Sequence, residues 1–465
     1  MTVRDTLDRL RTLFRVEAKA DPRLTPKRRD RLREQLKECA GGLGGEVSAR
    51  VRAASLGETY LQLDDAGRHE FLRLIALEFG PNPKTVAEAH GAYQAAVGTP
   101  GQWDAEAQLR AAMRSARVRI LTQFNALPQG VKFLVDLRAD LLRFLERDPE
   151  LAVLDRELGA RLAAWFDVGF LELQRITWNS PASLLEKLMK YEAVHEIRSW
   201  DDLRNRLDSD RRCYAFFHPR MPMEPLIFVE VALTRSLADN VQHLLDEGAP
   251  VLDPRRAEAA IFYSISNTQP GLRGVSFGNF LLKRVIDDLM RDYPRLKTFA
   301  TLSPLPRFRR WLRDHPQELE AAATPAELKL IGSAAGITPD TNGMRQILAG
   351  EDWHRSPPLA AALRAPLLRV AAHYLTGIKD EGRLVDPVAR FHFGNGARIE
   401  RLNWLADTSR KGLAQSFGLM VNYRYVPDAI EDNVEAFVRE GRIDEAPDVR
   451  RLHKAVPRAA TGETR

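Results

Sequence analysis

Ala260-Ile-Phe-Tyr-Ser-Ile-Ser266, followed by Asn267-Thr-Gln-Pro-Gly-Leu-Arg-Gly-Val-Ser-Phe-Gly278, decides the fold. Four of these seven, Ile261, Phe262, Tyr263 and Ile265, are β-branched or aromatic, and the run reads as a strand. The loop after them carries Gly271, Gly274 and Gly278, and a helical pattern opens directly behind it. Over 279–292, Phe280, Leu281, Val285, Ile286 and Leu289 form one face, with Lys283, Arg284, Asp287 and Asp288 opposite. A second β run, Thr298–Leu302, closes a strand–loop–helix–strand unit, the mark of a mixed α/β domain. A glycine-rich loop that opens a helix presents backbone N–H groups and the positive end of the helix dipole, which suits a phosphate. From the loop alone, glycines serving ordinary turns remain an equal reading. No Gly-Lys-Ser/Thr follows, and the glycine spacing does not fit a dinucleotide fingerprint.

Working outward, Cys213–Phe217 and Leu226–Leu233 are further β runs, and helical patterns resume from Pro304 to about Leu375. The first third is helical throughout, punctuated by Pro81, Pro83, Pro100, Pro128 and Pro149. Leu134, Leu137, Leu141 and Leu145 recur at spacings of three and four, one stripe of an amphipathic helix. Residues 103–125 and 150–168 behave alike, and none of these helices carries a cluster of catalytic side chains. The expected fold class is α+β and multidomain. An all-α helical bundle over residues 1–173, packing on itself or on a partner subunit, precedes an α/β domain over 174–465.

Composition narrows the function classes. The chain has 465 residues, enough at roughly 150 per domain for two or three cores. Its 69 Lys+Arg against 63 Asp+Glu leave a net charge of +6, and residues 1–50 alone hold 13 against 8. No nucleic-acid-binding signature accompanies that excess, so no nucleic-acid partner is expected. No apolar run is long enough for a membrane helix; Glu230 interrupts even the stretch Pro225–Leu233. Cys39 and Cys213 cannot build a disulfide framework or a cysteine zinc site, so a reducing compartment and no metal are expected. Asp5 and Asp8 count against a transit peptide and the last three residues are not a peroxisomal signal, leaving the cytoplasm as the expected address.

The glycine loop resembles the pyrophosphate-binding turn of the GNAT acyltransferase fold, Gln/Arg-x-x-Gly-x-Gly/Ala. Arg273 and Gly278 match, and Ser276 stands at the middle glycine. Longer blocks sharpen the resemblance: Phe216–Thr234, Tyr263–Ser266, Leu302-Ser-Pro304, Asp386–Arg398 continuing to Asn403-Trp404, and Gly418–Tyr425. Together these resemble the malonyl-CoA decarboxylase family, in order from about Ala193 to Tyr425. The helical first third is similar in length and character.

The resemblance implies a GNAT-like, acyl-CoA-binding catalytic domain. The reaction it implies converts malonyl-CoA to acetyl-CoA and CO2 without a cofactor, in a homo-oligomer, dimer or tetramer. It also implies a catalytic pair, Ser303 and His392. Read alone, Ser303 before Pro304 would be a cap or turn residue, and His392 between Phe391 and Phe393 an ordinary buried histidine. The substrate-binding residues implied are Ser264 and the loop Arg273, Gly274, Val275, Ser276, Phe277, Gly278 and Asn279. Relatives can carry an acid where Ser276 stands, which puts a side-chain role there in doubt but leaves backbone donors unaffected. His218 is a candidate supporting residue. The basic segment Arg291–Arg313 suits either the CoA 3′-phosphate or plain solvation. A CoA-dependent acyltransferase and a non-enzymatic acyl-CoA sensor are the competing functions, and the Ser303 and His392 blocks favour decarboxylation over both.

Overall fold

The computed structural model describes residues 23–41, 45–275, 280–350, 352–380 and 382–455. Six helices of the first third, Pro26–Gly41, Gly45–Gln62, Asp65–Glu78, Ala116–Asn125, Gly130–Phe144 and Ala152–Trp165, pack around a shared apolar centre. In Gly130–Phe144 the buried stripe is Val131, Leu134, Leu137, Arg138, Leu141 and Phe144, the three-and-four spacing expected. Burying each such leucine contributes about 1.5–3 kcal/mol. Two more helices behave differently. Pro83–Ala96 buries none of its residues and Gln102–Ala112 buries only Ala105, so they form a hairpin that projects from the bundle.

The main sheet comprises β1 (Glu172–Ile176), β2 (Arg211–Phe217), β3 (Ile227–Thr234), β4 (Ala259–Asn267), β5 (Thr298–Thr301) and β6 (Ser303–Pro304). A small ribbon, β7 (Lys379–Asp380) with β8 (Arg383–Leu384), stands apart, and β9 (Arg398–Asn403) and β10 (Met420–Tyr425) complete the main sheet. The order is β1-β2-β3-β4-β5-β10, with β6 and β9 also paired to β10. Every pairing in it is antiparallel except β4 with β5.

That parallel pair positions the site. Its register runs only from Ala259 opposite Thr298 to Phe262 opposite Thr301, whereas β4 continues beside β3 as far as Asn267. Beyond Phe262 the two strands part. The expected strand Thr298–Leu302 accordingly ends at Thr301, and Ser303–Pro304 resume against Val421 and Met420 of β10.

The sheet also begins earlier than the change of sequence texture after Trp178. In β1 only Ile176 is buried, because β1 is an edge strand and needs no apolar run. One buried apolar cluster extends from Leu36 and Leu72 through Leu134 and Leu272 to Phe262 and Val421. The helical region and the sheet therefore share a core.

Candidate active site

The loop after β4 is clamped by the helical region. Pro270–Leu272 forms a single turn against the helix Gly130–Phe144, so close that a Cβ on Gly271 would lie 1.8 Å from the carbonyl oxygen of Val135. The buried guanidinium of Arg138 ties the same turn down, donating from Nη1 to the carbonyls of Gly271 (2.8 Å) and Arg273 (2.9 Å). Its Nε is held by Asp155 Oδ1 at 2.8 Å. Gly274 follows at φ +81°, a left-handed conformation that glycine adopts without strain.

A groove of about 860 Å³ runs along this loop. One wall is Ala139, Leu142, Arg143 and Glu146 of the helical region; the other includes Gln269, Arg273, Gly274, Val275 and Leu281. Leu281 lies in the first turn of the helix Phe280–Asp292, so the groove reaches that helix's N-terminal end, where an anion is favoured.

At Asn267 and Phe391 the groove meets a second cavity, of about 390 Å³, seated where β4 and β5 part. Val194, Tyr263, Ser264, Ser303, Val388 and His392 are among its lining, and no Lys, Arg, Asp or Glu is, among the described residues. His392 arrives on the helix Pro387–Gly394. Asp386 caps that helix, its Oδ1 accepting from the N–H of Val388 and of Ala389 at 2.9 Å each, with Pro387 in the first turn. Ala389, His392 and Phe393 form the helix's buried face.

Ser303 Oγ lies 3.1 Å from His392 Nε2 and donates to Thr301 Oγ1 at 2.8 Å. His392 Nδ1 lies 2.7 Å from Tyr425 Oη, and the Tyr423 ring stacks on the imidazole with centroids 4.4 Å apart. Tyr423 and Tyr425, two apart on β10, leave the strand on one face, which is why both reach the imidazole. Burial depresses His392 to about 3 and raises the Tyr425 phenol well above its ordinary value, so both are neutral in the free protein.

A buried hydroxyl–imidazole pair at the end of a groove that reaches a helix N-terminus suits proton transfer on an anionic ligand, and comparison with known proteins supplies the family. The family model described as malonyl-CoA decarboxylase C-terminal domain matches residues 169–462, and the corresponding N-terminal domain model matches 79–166. The chain belongs to the malonyl-CoA decarboxylase family.

"Malonyl-CoA decarboxylase, mitochondrial" of Rattus norvegicus is 40% identical over 380 residues, which is 77% of this chain and 76% of the relative. The protein of that name from Anser anser anser is 38% identical over 409 residues, 84% of this chain and 81% of the relative. The crystal structure of malonyl-CoA decarboxylase from Rhodopseudomonas palustris superposes with a TM-score of 0.81 at 40% identity, covering 91% of this chain and 99% of that one. The structure of the Cupriavidus metallidurans protein gives 0.72 at 44% identity, covering 92% and 100%.

The family's blocks thus meet in one place. Ser303 and His392 are in contact, Ser264 lines the same cavity, and Arg273, Gly274 and Val275 line the groove. Ser276, Phe277, Gly278 and Asn279 lie outside the described residues. Ser264 does more than line the cavity: its hydroxyl lies 2.8 Å from both carboxylate oxygens of Glu192.

Two readings left open by the sequence can be placed. His218 does not line the cavity of Ser303 and His392: its Nε2 meets the carbonyl of Trp165 at 3.0 Å and its Nδ1 accepts from the N–H of Arg220, so it joins the helical region to the sheet. The basic segment Arg291–Arg313 does not line the groove either. Arg291 pairs with Asp288, Lys297 with Glu258, and Arg309 donates to the carbonyls of Leu413 and Gly350.

The helical region, read from sequence as packing on itself or on a subunit, supplies a wall of the groove. Sequence reasoning missed Tyr425, Thr301 and Arg138. Tyr425 ended a block already singled out, but no pattern ties a strand tyrosine to a histidine 33 residues away.

Proposed function

We propose that the protein converts malonyl-CoA to acetyl-CoA and CO2 without a cofactor, Ser303 and His392 carrying the reaction. The observation that supports this best is the 3.1 Å contact of the pair inside a cavity lined by no charged side chain among the described residues and open to the groove at Asn267 and Phe391. CoA occupies the groove, its diphosphate at the loop Arg273–Asn279 and the N-terminus of the following helix. The malonyl end enters the cavity between β4 and β5.

The thioester carbonyl is already an electron sink, so the C–CO2 bond needs only to stand perpendicular to the carbonyl plane. β5 does not pair with β4 beyond Phe262, and we assign backbone N–H groups of that edge to the developing enolate oxygen. Ser303 orients the carboxylate, its hydroxyl turning from Thr301 in the free protein to donate to the bound substrate.

The arriving negative charge, with no cation lining the cavity, draws a proton onto His392, which burial otherwise keeps neutral. When CO2 leaves, the charge passes to the enolate; His392 Nε2–H then protonates C2, and the imidazole returns to the neutral form that burial favours. No acyl-serine is needed, and the Ser303 proton directed at Thr301 rather than at the imidazole fits a non-covalent route.

Purified protein given malonyl-CoA and no acceptor releases acetyl-CoA and CO2 in equal amounts. Absence of product overturns the reading, and an acyl adduct on Ser303 in enzyme quenched during turnover overturns the non-covalent route.

The reading includes a homo-oligomer and a cytoplasmic address. The projecting hairpin supports the first: isolated helices of this length are marginal in water, yet Pro83–Ala96 buries nothing within the chain and Trp103 is 73% exposed. Trp103→Glu should lower the mass seen in light scattering, and a concentration-independent monomer in the wild type would refute the oligomer. Two buried, unpaired cysteines support the second. Among the described residues no helix is long and apolar enough to cross a membrane.

A further inference from the structure

Thr301 is fully buried at the end of β5, two residues before Ser303, and the two hydroxyls meet. Its Oγ1 accepts twice, from the Ser303 hydroxyl at 2.8 Å and from the backbone N–H of Tyr423 at 3.2 Å. Its carbonyl oxygen accepts from Asn422 Nδ2 at 2.7 Å, so the strand is pinned at this residue through its main chain as well.

A serine hydroxyl has one proton. With that proton committed to Thr301, Ser303 Oγ meets His392 Nε2 as an acceptor, and Nε2 must carry hydrogen. Nδ1 is then the bare nitrogen and takes the proton of the Tyr425 hydroxyl, 2.7 Å away. With Thr301 as the acceptor at one end, the hydrogen bonds of the chain Tyr425–His392–Ser303–Thr301 all run in one direction.

We propose that Thr301 is a positioning residue that sets the tautomer of the catalytic histidine. It holds resting His392 as Nε2–H, directed at Ser303 and the acyl cavity, and it turns the Ser303 proton away from the imidazole so that Ser303 is not activated as a nucleophile. The catalytic consequence rests on the decarboxylase reading; the tautomer itself does not. Without the Thr301 acceptor, the Ser303 proton swings to Nε2, His392 becomes Nδ1–H, and Tyr425 turns from donor to acceptor. The nitrogen that faces C2 then starts occupied by the Ser303 proton, which must turn away before Nε2 can take up the proton that substrate binding draws onto the imidazole.

The test is nitrogen NMR of full-length protein with 15N-labelled histidine at pH 7, the His392 signals being identified by their loss in His392→Asn. The wild type should show Nε2 protonated and Nδ1 bare. Thr301→Val, which keeps the shape and removes the acceptor, should invert that pattern, and Thr301→Ser should restore it. In parallel, kcat for malonyl-CoA should fall about 10²-fold in Thr301→Val with little change in KM, and recover in Thr301→Ser. An Nδ1–H pattern in the wild type overturns the proposal without any variant, as does a Thr301→Val spectrum matching the wild type. Inversion of the tautomer in a protein that does not decarboxylate malonyl-CoA would leave the proposal standing and remove the function assigned above.

Discussion

His392 and His195 stand on either side of the segment at Val194, which lines both their cavities. Both are buried, and burial lowers both, to about 3 and about 4. Their surroundings differ in kind. His392 has both ring nitrogens engaged by hydroxyls and faces a cavity lined by no charged side chain among the described residues. His195 makes no well-formed hydrogen bond through Nε2, and its cavity of about 640 Å³ is lined by Glu196, Arg198, Asp202, Arg206, Asp407 and Lys411. Much of that charge is already spent on structure: Arg206 pairs with Asp202 and Glu230, Lys411 holds the carbonyls of Ala193 and Val194, and Gln242 donates to Asp407. Burial alone does not make a catalytic histidine. His392 differs in having a hydroxyl on each ring nitrogen beside a cavity lined by no charged side chain among the described residues.

The sharpest way to break this comparison is to remove each imidazole in turn. His392→Asn should lower kcat by about 10³-fold with KM nearly unchanged, because it removes the proton donor and leaves the groove intact. His195→Asn should leave kcat within about threefold of the wild type. Comparable losses in steady-state kinetics would mean that the charged cavity takes part in the reaction.

A second contrast separates groove from cavity. Gly271→Ala drives a Cβ into the carbonyl of Val135 and forces the loop off the helical region. We expect KM for malonyl-CoA to rise about tenfold with kcat affected less, and stability to fall by about 1–3 kcal/mol. A kcat loss with unchanged KM would show that the loop acts on the chemistry instead.

The smallest effect sharpens what the two histidines share. Each stays neutral when folded down to its depressed value but titrates near 6.5 when unfolded, so the unfolded chain binds more protons below that pH. Each should therefore contribute a loss of about 2 kcal/mol of stability between pH 7 and pH 5. In urea titrations at the two pH values, either Asn variant should show an acid-induced loss smaller by about that amount. An unchanged difference in the His392 variant would mean that His392 is not held neutral by burial.

Much of this architecture is legible along the chain. Helix Gly130–Phe144 follows from its leucine spacing, β2, β3 and β4 from apolar runs, and the start of the His392 helix from Asp386-Pro387. These are local signals: periodicity, caps and turn residues depend on neighbours a few positions away. β1 is not legible because an edge strand can be mostly exposed, and β9 and β10 because Arg398, Glu400, Arg401, Asn422 and Arg424 interrupt their apolar runs.

Sequence by itself thus determined the order of helical region and mixed sheet, the glycine loop at a helix start, and, through family blocks, Ser303 and His392 as the residues to watch. Tertiary structure alone decided that Arg138 holds a loop 135 residues away, that a helical wall completes the groove, and that Thr301 and Tyr425 terminate the hydrogen-bond chain through His392. Its decisive step is the parting of β4 and β5 after Phe262, which opens a cavity lined by no charged side chain among the described residues. Which side chains meet across that gap depends on distances between elements far apart in the chain, and no local spacing encodes those.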